Sequence, residues 1–130
     1  MIDLKASAIR SFLPARDFEQ SKAFYSALGF ELTWSDANLA LFKSGSQCFY
    51  LQNYYVKEWA DNCMLHVSVA DAVLCFSQVS ALLADGKYAG ASVSAPKPEA
   101  YGALVTYVCD PSGVLLHLAQ WDQANRGSAE

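Results

Sequence analysis

The feature that most limits how this chain can fold is that it runs through the same order of elements twice. Residues 6–52 and 63–120 each read as a strand, a helix and three further strands, and the aspartates placed to cap the two helices, Asp17 and Asp71, lie 54 positions apart. The same offset superposes Ser26-Ala27-Leu28 on Ser80-Ala81-Leu82. In the first half, Ala8–Leu13 is a short apolar strand, and Asp17 opens a helix with Gln20 placed to reach back to it. That helix runs to Leu28 and stops at Gly29, after which Phe30–Ser35 is a strand with Phe30, Leu32 and Trp34 on one face. Leu39–Lys43 and Gln47–Gln52 form a hairpin around Ser44-Gly45-Ser46.

The second half repeats this with a strand at Cys63–Val69 and a helix at Asp71–Leu83 carrying Val73, Phe76, Val79 and Leu83 at helical spacing. Strands follow at Tyr88–Ser94, Leu104–Cys109 and Val114–Ala119, the last two joined by the turn Asp110-Pro111-Ser112-Gly113. The proline-rich run 95–99 reads as a stiff surface connection, residues 53–62 as an irregular linker, and 121–130 as a polar tail that frays. Neither βαβββ unit can bury its own sheet. The expectation is therefore one α+β domain over residues 1–130 in which the two units pair into a curved mixed sheet around a cup, with the helices outside.

At 130 residues and 53% hydrophobic the chain can bury a sizeable core, and with 17% charged residues it is too apolar for disorder. A net charge of -4 argues against nucleic acid and acidic membranes as partners, and suits a cationic ligand. No apolar run is long enough to span a bilayer and the N-terminus lacks the build of a signal peptide, so the chain reads as cytoplasmic. Cys48, Cys63, Cys75 and Cys109 form no C-x-x-C pair and read as reduced, buried thiols.

Two segments carry a family resemblance. The opening run Leu13-Pro14-Ala15-Arg16-Asp17-Phe18, with Ser21, Ala23-Phe24-Tyr25 and Leu28-Gly29-Phe30, resembles the first motif of the vicinal oxygen chelate superfamily. Asp110-Pro111-Ser112-Gly113 followed by Leu115, Leu116, His117 and Leu118 resembles its closing motif. That superfamily includes glyoxalase I, extradiol dioxygenases, fosfomycin-modifying enzymes and bleomycin-resistance proteins. The resemblance implies that its enzymes hold a divalent metal on four inward positions. Counting back from the capping aspartates puts two of them on Arg10 and Met64, and counting forward from Gly45 and Gly113 puts the others on Phe49 and His117. One imidazole, or two if His66 also points into the cup, is too few for a stable site, so neither metal nor cofactor is expected.

Ala100-Tyr101-Gly102 before the seventh strand is similar to the bleomycin-resistance branch, where a Trp-Gly pair stands in place of Tyr101-Gly102. That likeness implies a homodimer with exchanged or intertwined halves and ligand clefts at the interface, acting by sequestering a drug without altering it. The candidate stacking residues are Trp34, Phe49, Trp59, Tyr101 and Tyr107, because flat rings offer contact area at little rotamer cost. Trp59 stands out in a polar linker, and Tyr107 precedes Asp110 by three, a position that faces ligand in the fosfomycin-modifying relatives. His66 and His117 are candidate hydrogen-bonding groups, Met64 an adaptable apolar lining. Arg10 needs a partner, with Glu31, Glu58 or an acidic ligand group the candidates. Asp17 and Asp110 read as structural. The competing reading is a glyoxalase-like lyase or isomerase using His66 and His117.

Overall fold

The computed structural model of the chain describes residues 1–122. The elements run β1 (Phe12–Pro14), α1 (Phe18–Ala27), β2 (Glu31–Ser35), β3 (Leu39–Ser44), β4 (Gln47–Gln52), α2 (Lys57–Ala60), β5 (Met64–Ser68), α3 (Ala72–Leu83), β6 (Ser92–Val93), β7 (Lys97–Glu99), β8 (Ala103–Cys109) and β9 (Leu115–Trp121). The strands make two mixed sheets. The first has the order β1-β4-β3-β2, the second β5-β9-β8-β6 with β7 also paired to β8. In each, the opening strand lies parallel to the last strand of its own unit, β1 on β4 and β5 on β9, while the remaining pairs are antiparallel. The doubled βαβββ order of an α+β fold is thus present, as two sheets.

Both long helices start as the sequence requires. Asp17 accepts from the Gln20 amide and Asp71 from the Leu74 amide, each satisfying a donor that the first helical turn leaves free. The Gln20 side chain turns instead to the Lys87 carbonyl, 3.4 Å away, so the reciprocal half of the capping box is not made. Gly29 follows α1 at φ +104°, a conformation that side chains with a Cβ resist.

One apolar core joins both halves. Phe24, Tyr25, Phe42 and Phe49 from the first meet Val79, Val108, Leu116 and Leu118 from the second. The rings meet largely edge to face, as at Phe24 and Tyr25 (5.5 Å between centroids) and Tyr25 and Phe49 (5.1 Å), each worth about 1 kcal/mol beyond area burial. Within this core Asp110 is wholly buried. Its Oδ1 accepts from the Ser112 and Val114 amides, and its Oδ2 accepts from the Tyr25 hydroxyl at 2.6 Å. Asp110 is structural, as its place in the turn suggests.

Several elements differ from the sequence reading. The first strand is limited to Phe12–Pro14, because only those residues lie opposite β4, and Ile2, Leu4 and Ile9 before it are exposed. Residues 97–99 are a strand, since β8 is long enough to take β7 beside β6 on the same edge. Residues 57–60 of the linker form one helical turn. On α3, Val79 faces the core but Val73 is exposed, and Cys75 and Leu82 pack inward in its place. The four cysteines are free and half-buried, and burial raises the thiols of Cys63, Cys75 and Cys109 above the ordinary range. Strand β9 continues through Trp121, and the rest of the expected tail, 123–130, lies outside the described residues.

Candidate functional site

Alternation along a strand sends successive side chains to opposite faces. In the second sheet, Leu65, Val67, Leu116 and Leu118 turn toward the core. The register places Met64, His66 and Ser68 of β5 beside Leu115, His117, Ala119 and Trp121 of β9 on the other face. Tyr107 lies opposite His117 and Ala103 opposite Trp121, so β8 adds to the same face, and β7 brings Lys97 and Glu99 to it through the pairs Lys97 with Val105 and Glu99 with Ala103.

On this face the rings touch in sequence. Centroid separations are 4.9 Å for Tyr107 and His117, 5.8 Å for His117 and His66, 5.6 Å for His66 and Trp121, and 5.4 Å for Trp121 and Tyr101. Hydrogen bonds fix several of them. The His66 Nε2 lies 3.2 Å from the Tyr101 hydroxyl, the Trp121 Nε1 donates to Ser68 Oγ at 3.0 Å, and the Tyr107 hydroxyl donates to Glu99 Oε2 at 2.9 Å. The floor beneath is small and apolar, made of Ala103, Val105 and Ala119. Desolvation and the Glu99 carboxylate push the Tyr107 hydroxyl up to about 12, so it remains a donor at any physiological pH. Desolvation and the neighbouring His66 lower the His117 imidazole below its ordinary value, against a smaller opposing pull from Glu99. The site therefore offers aromatic surface with a single carboxylate on its strands and one lysine beside that carboxylate.

Five of the nine sequence candidates come together here: Met64, His66, Tyr101, Tyr107 and His117. The other four do not. Phe49 was expected in the cup, yet it is buried in the core against Tyr25 and Phe30, at 5.1 and 5.2 Å. Both return strands begin two residues after their glycine, but β4 starts with Gln47 on the core face, that of Phe42 and Phe49, whereas β9 starts with Leu115 on the face opposite to that of Val108 and Leu116, so equal counts from Gly45 and Gly113 arrive on opposite faces. The register that sets His66 beside His117 sets Phe12 beside Tyr50, and Tyr50 is the counterpart of His117.

Arg10 donates to the Tyr50 hydroxyl at 3.0 Å and lies 5.6 Å from that ring's centroid; its partner is thus a phenol in place of the expected carboxylate. Trp34 shares the outer face of the first sheet with Tyr50, because a register shift between Leu32 and Trp34 turns it away from the face of Leu32. Trp59 sits on α2 with its ring 6.3 Å from that of Tyr54, away from the ring face. Trp121, Glu99 and Ser68 were missed by the sequence reading. The alternation Leu115, His117, Ala119, Trp121 is the signal that was available for the first of them.

The residues at the positions where the sequence resemblance implies metal ligands do not fit a hard divalent ion. Arg10 is a cation, Tyr50 is engaged by it, and on the second sheet Met64 Sδ lies 3.3 Å from His117 Nε2, one thioether beside one imidazole. Among the described residues no three His, Cys, Asp or Glu side chains gather as a ligand set, and no helix is long and apolar enough to cross a membrane. Two cavities, of about 700 and 630 Å³, lie off the ring face. The larger, between the end of α1, α3 and β5, reaches it only at Ser68; the smaller, between the lead into β1, β4 and β5, reaches it only at His66 and Ser68.

No protein-family model matches the sequence, and no curated protein matches it. Solved structures do. A bleomycin-binding protein complexed with bleomycin superposes with a TM-score of 0.73 at 23% identity, covering 90% of this chain and 100% of its own. The bleomycin-binding protein of bleomycin-producing Streptomyces verticillus, complexed with copper(II)-bleomycin, gives 0.75 at 19% identity over 94% and 100%. Lactoylglutathione lyase from Agrobacterium tumefaciens gives 0.66 at 19% identity over 88% and 94%. At these identities the likeness is one of fold, and the fold is the one that bleomycin-binding proteins share with lactoylglutathione lyase, the glyoxalase/bleomycin-resistance fold.

Proposed function

We propose that this protein binds and sequesters an aromatic, cationic antibiotic or related metabolite, without a metal and without chemical change. The observation that carries the reading is the continuous ring face of Tyr107, His117, His66, Trp121 and Tyr101, left open on one side of a sheet whose other side is fully committed to the core. An open aromatic surface of this kind is costly in water and gains by stacking a flat ligand. The fold likeness to two bleomycin-binding proteins supports the same class of ligand. A second copy of the chain supplies the opposite wall of the cleft. Exposed Phe12 and Trp34 on the outer face of the first sheet are the kind of surface such a wall needs.

The test is tryptophan fluorescence of chelator-treated protein titrated with bleomycin and then with other aromatic cationic antibiotics. Saturable quenching is expected. It persists in Trp59→Phe and is largely lost in Trp121→Phe, whose ring lies in the face. A flat response across the panel overturns the reading. Quenching only after a divalent metal is restored would favour the glyoxalase-like lyase, for which the close pair His66 and His117 supplies the acid and base candidates.

A further inference from the structure

On the strands of the ring face, among the described residues, Glu99 is the one carboxylate, and it is held differently from the lysine beside it. Its Oε2 accepts from the Tyr107 hydroxyl at 2.9 Å, and its side chain is 27% exposed. Lys97, two residues earlier on the same face, places its Nζ 3.5 Å from Glu99 Oε1 and is 66% exposed. Pro96 and Pro98 flank Lys97 and lock the backbone torsions on either side, so β7 itself is stiff and only the lysine stem is free to swing. An ion pair with one arm in water is a weak contact. The carboxylate stays where Tyr107 holds it; the ammonium does not have to.

We propose that Glu99 is the counter-ion for the ligand's cationic group, and that Lys97 holds that place until the ligand arrives, so that binding exchanges one cation for another. This rests on the ligand-binding reading above and deepens it by naming the ligand class: a flat aromatic carrying an ammonium, amidinium or guanidinium within a few ångströms of the ring plane. A cation beside Glu99 lies next to Tyr107, whose ring meets His117, so the carboxylate and the π faces act on the same charge. A neutral arene of the same shape gains the stacking and not the charge. An anionic one meets Glu99 unfavourably. Because Lys97 already neutralises the carboxylate in the free protein, the net gain from the exchange is smaller than that of a bare carboxylate, and removing the lysine releases it.

The experiment compares two tricyclic dyes on the whole chain: proflavine, a cation, and acridone, which is neutral. The expected result is that the wild type prefers proflavine, that Glu99→Gln weakens proflavine about tenfold while moving acridone less than about twofold, and that Lys97→Met tightens proflavine severalfold. The amide of Glu99→Gln still accepts from Tyr107, which preserves the local fold, and an unchanged thermal midpoint checks this. Equal weakening of both dyes by Glu99→Gln assigns Glu99 a purely structural role and overturns the proposal, as does weaker proflavine binding in Lys97→Met. Failure of the wild type to bind either dye overturns the ligand-binding reading and this inference with it, whereas equal binding of both dyes overturns the inference alone.

Discussion

His117 shows how much a single position depends on its face of the sheet. Desolvation first and the proximity of His66 second disfavour its protonated form, so in the folded protein it takes up a proton at lower pH than in the unfolded chain. Between those two values the unfolded state binds more protons, and stability falls as pH falls through that window. The contribution is complete above the unfolded value of about 6.5 and is lost on acidification. A proton NMR titration is expected to place the His117 midpoint below 6.5, with the denaturation midpoint declining from pH 7 toward pH 5 and the decline reduced in His117→Gln. A midpoint above 6.5 would mean that the Glu99 carboxylate outweighs burial and His66. Arg10 makes the companion point: sequence reasoning correctly demanded a partner for its charge, but which partner depends on β4 lying beside the lead into β1, something no local pattern encodes.

At the scale of elements, the decisive features are short and sit at turns. The loop between β8 and β9 is built around Asp110, whose carboxylate gathers two loop amides and the Tyr25 hydroxyl and so ties the second sheet to α1 across the core. Replacing Asp110 with Ala leaves those three donors without their acceptor in a buried place and is expected to cost about 3 kcal/mol or more, read as a fall in the urea midpoint with unchanged slope. A loss below about 1 kcal/mol would show that water enters and satisfies them. Strand register also decides which side chains reach the site. The motifs around Gly45 and Gly113 were legible, yet β4 enters its ladder on the core face and β9 enters its own on the opposite one, which is why Phe49 is core and Tyr50 is its outward neighbour. The register shift in β2 does the same to Trp34. Period-two patterns are unforgiving in this way, because one residue of slip exchanges the faces.

For the molecule as a whole, the open faces are the part that a single chain leaves unresolved in energetic terms. Phe12, Trp34, Met64 and Tyr101 are all more than two-fifths exposed, and none contributes to the common core. If a second copy covers them, light scattering at tens of micromolar should read twice the mass of one chain, and Trp34→Asp should shift that toward the monomer. A monomer that nevertheless binds bleomycin saturably would remove the second copy from the proposed cleft. What the sequence determined by itself is the doubled order of elements, the helix starts at Asp17 and Asp71, the structural part played by Asp110, and the presence of imidazole groups along β5 and β9; these follow from spacing, capping and periodicity, which are local. What only the tertiary structure decided is which rings meet. Trp121 joined the face because β9 stays paired to β8 through Ala103, Glu99 because β7 found room on the edge of β8, Phe49 and Trp34 left it because strand register turned them elsewhere, and Trp59 because α2 holds it beside Tyr54. Pairing between strands far apart in the chain sets the faces, and its energy comes from the packed core that forms when all of them close together.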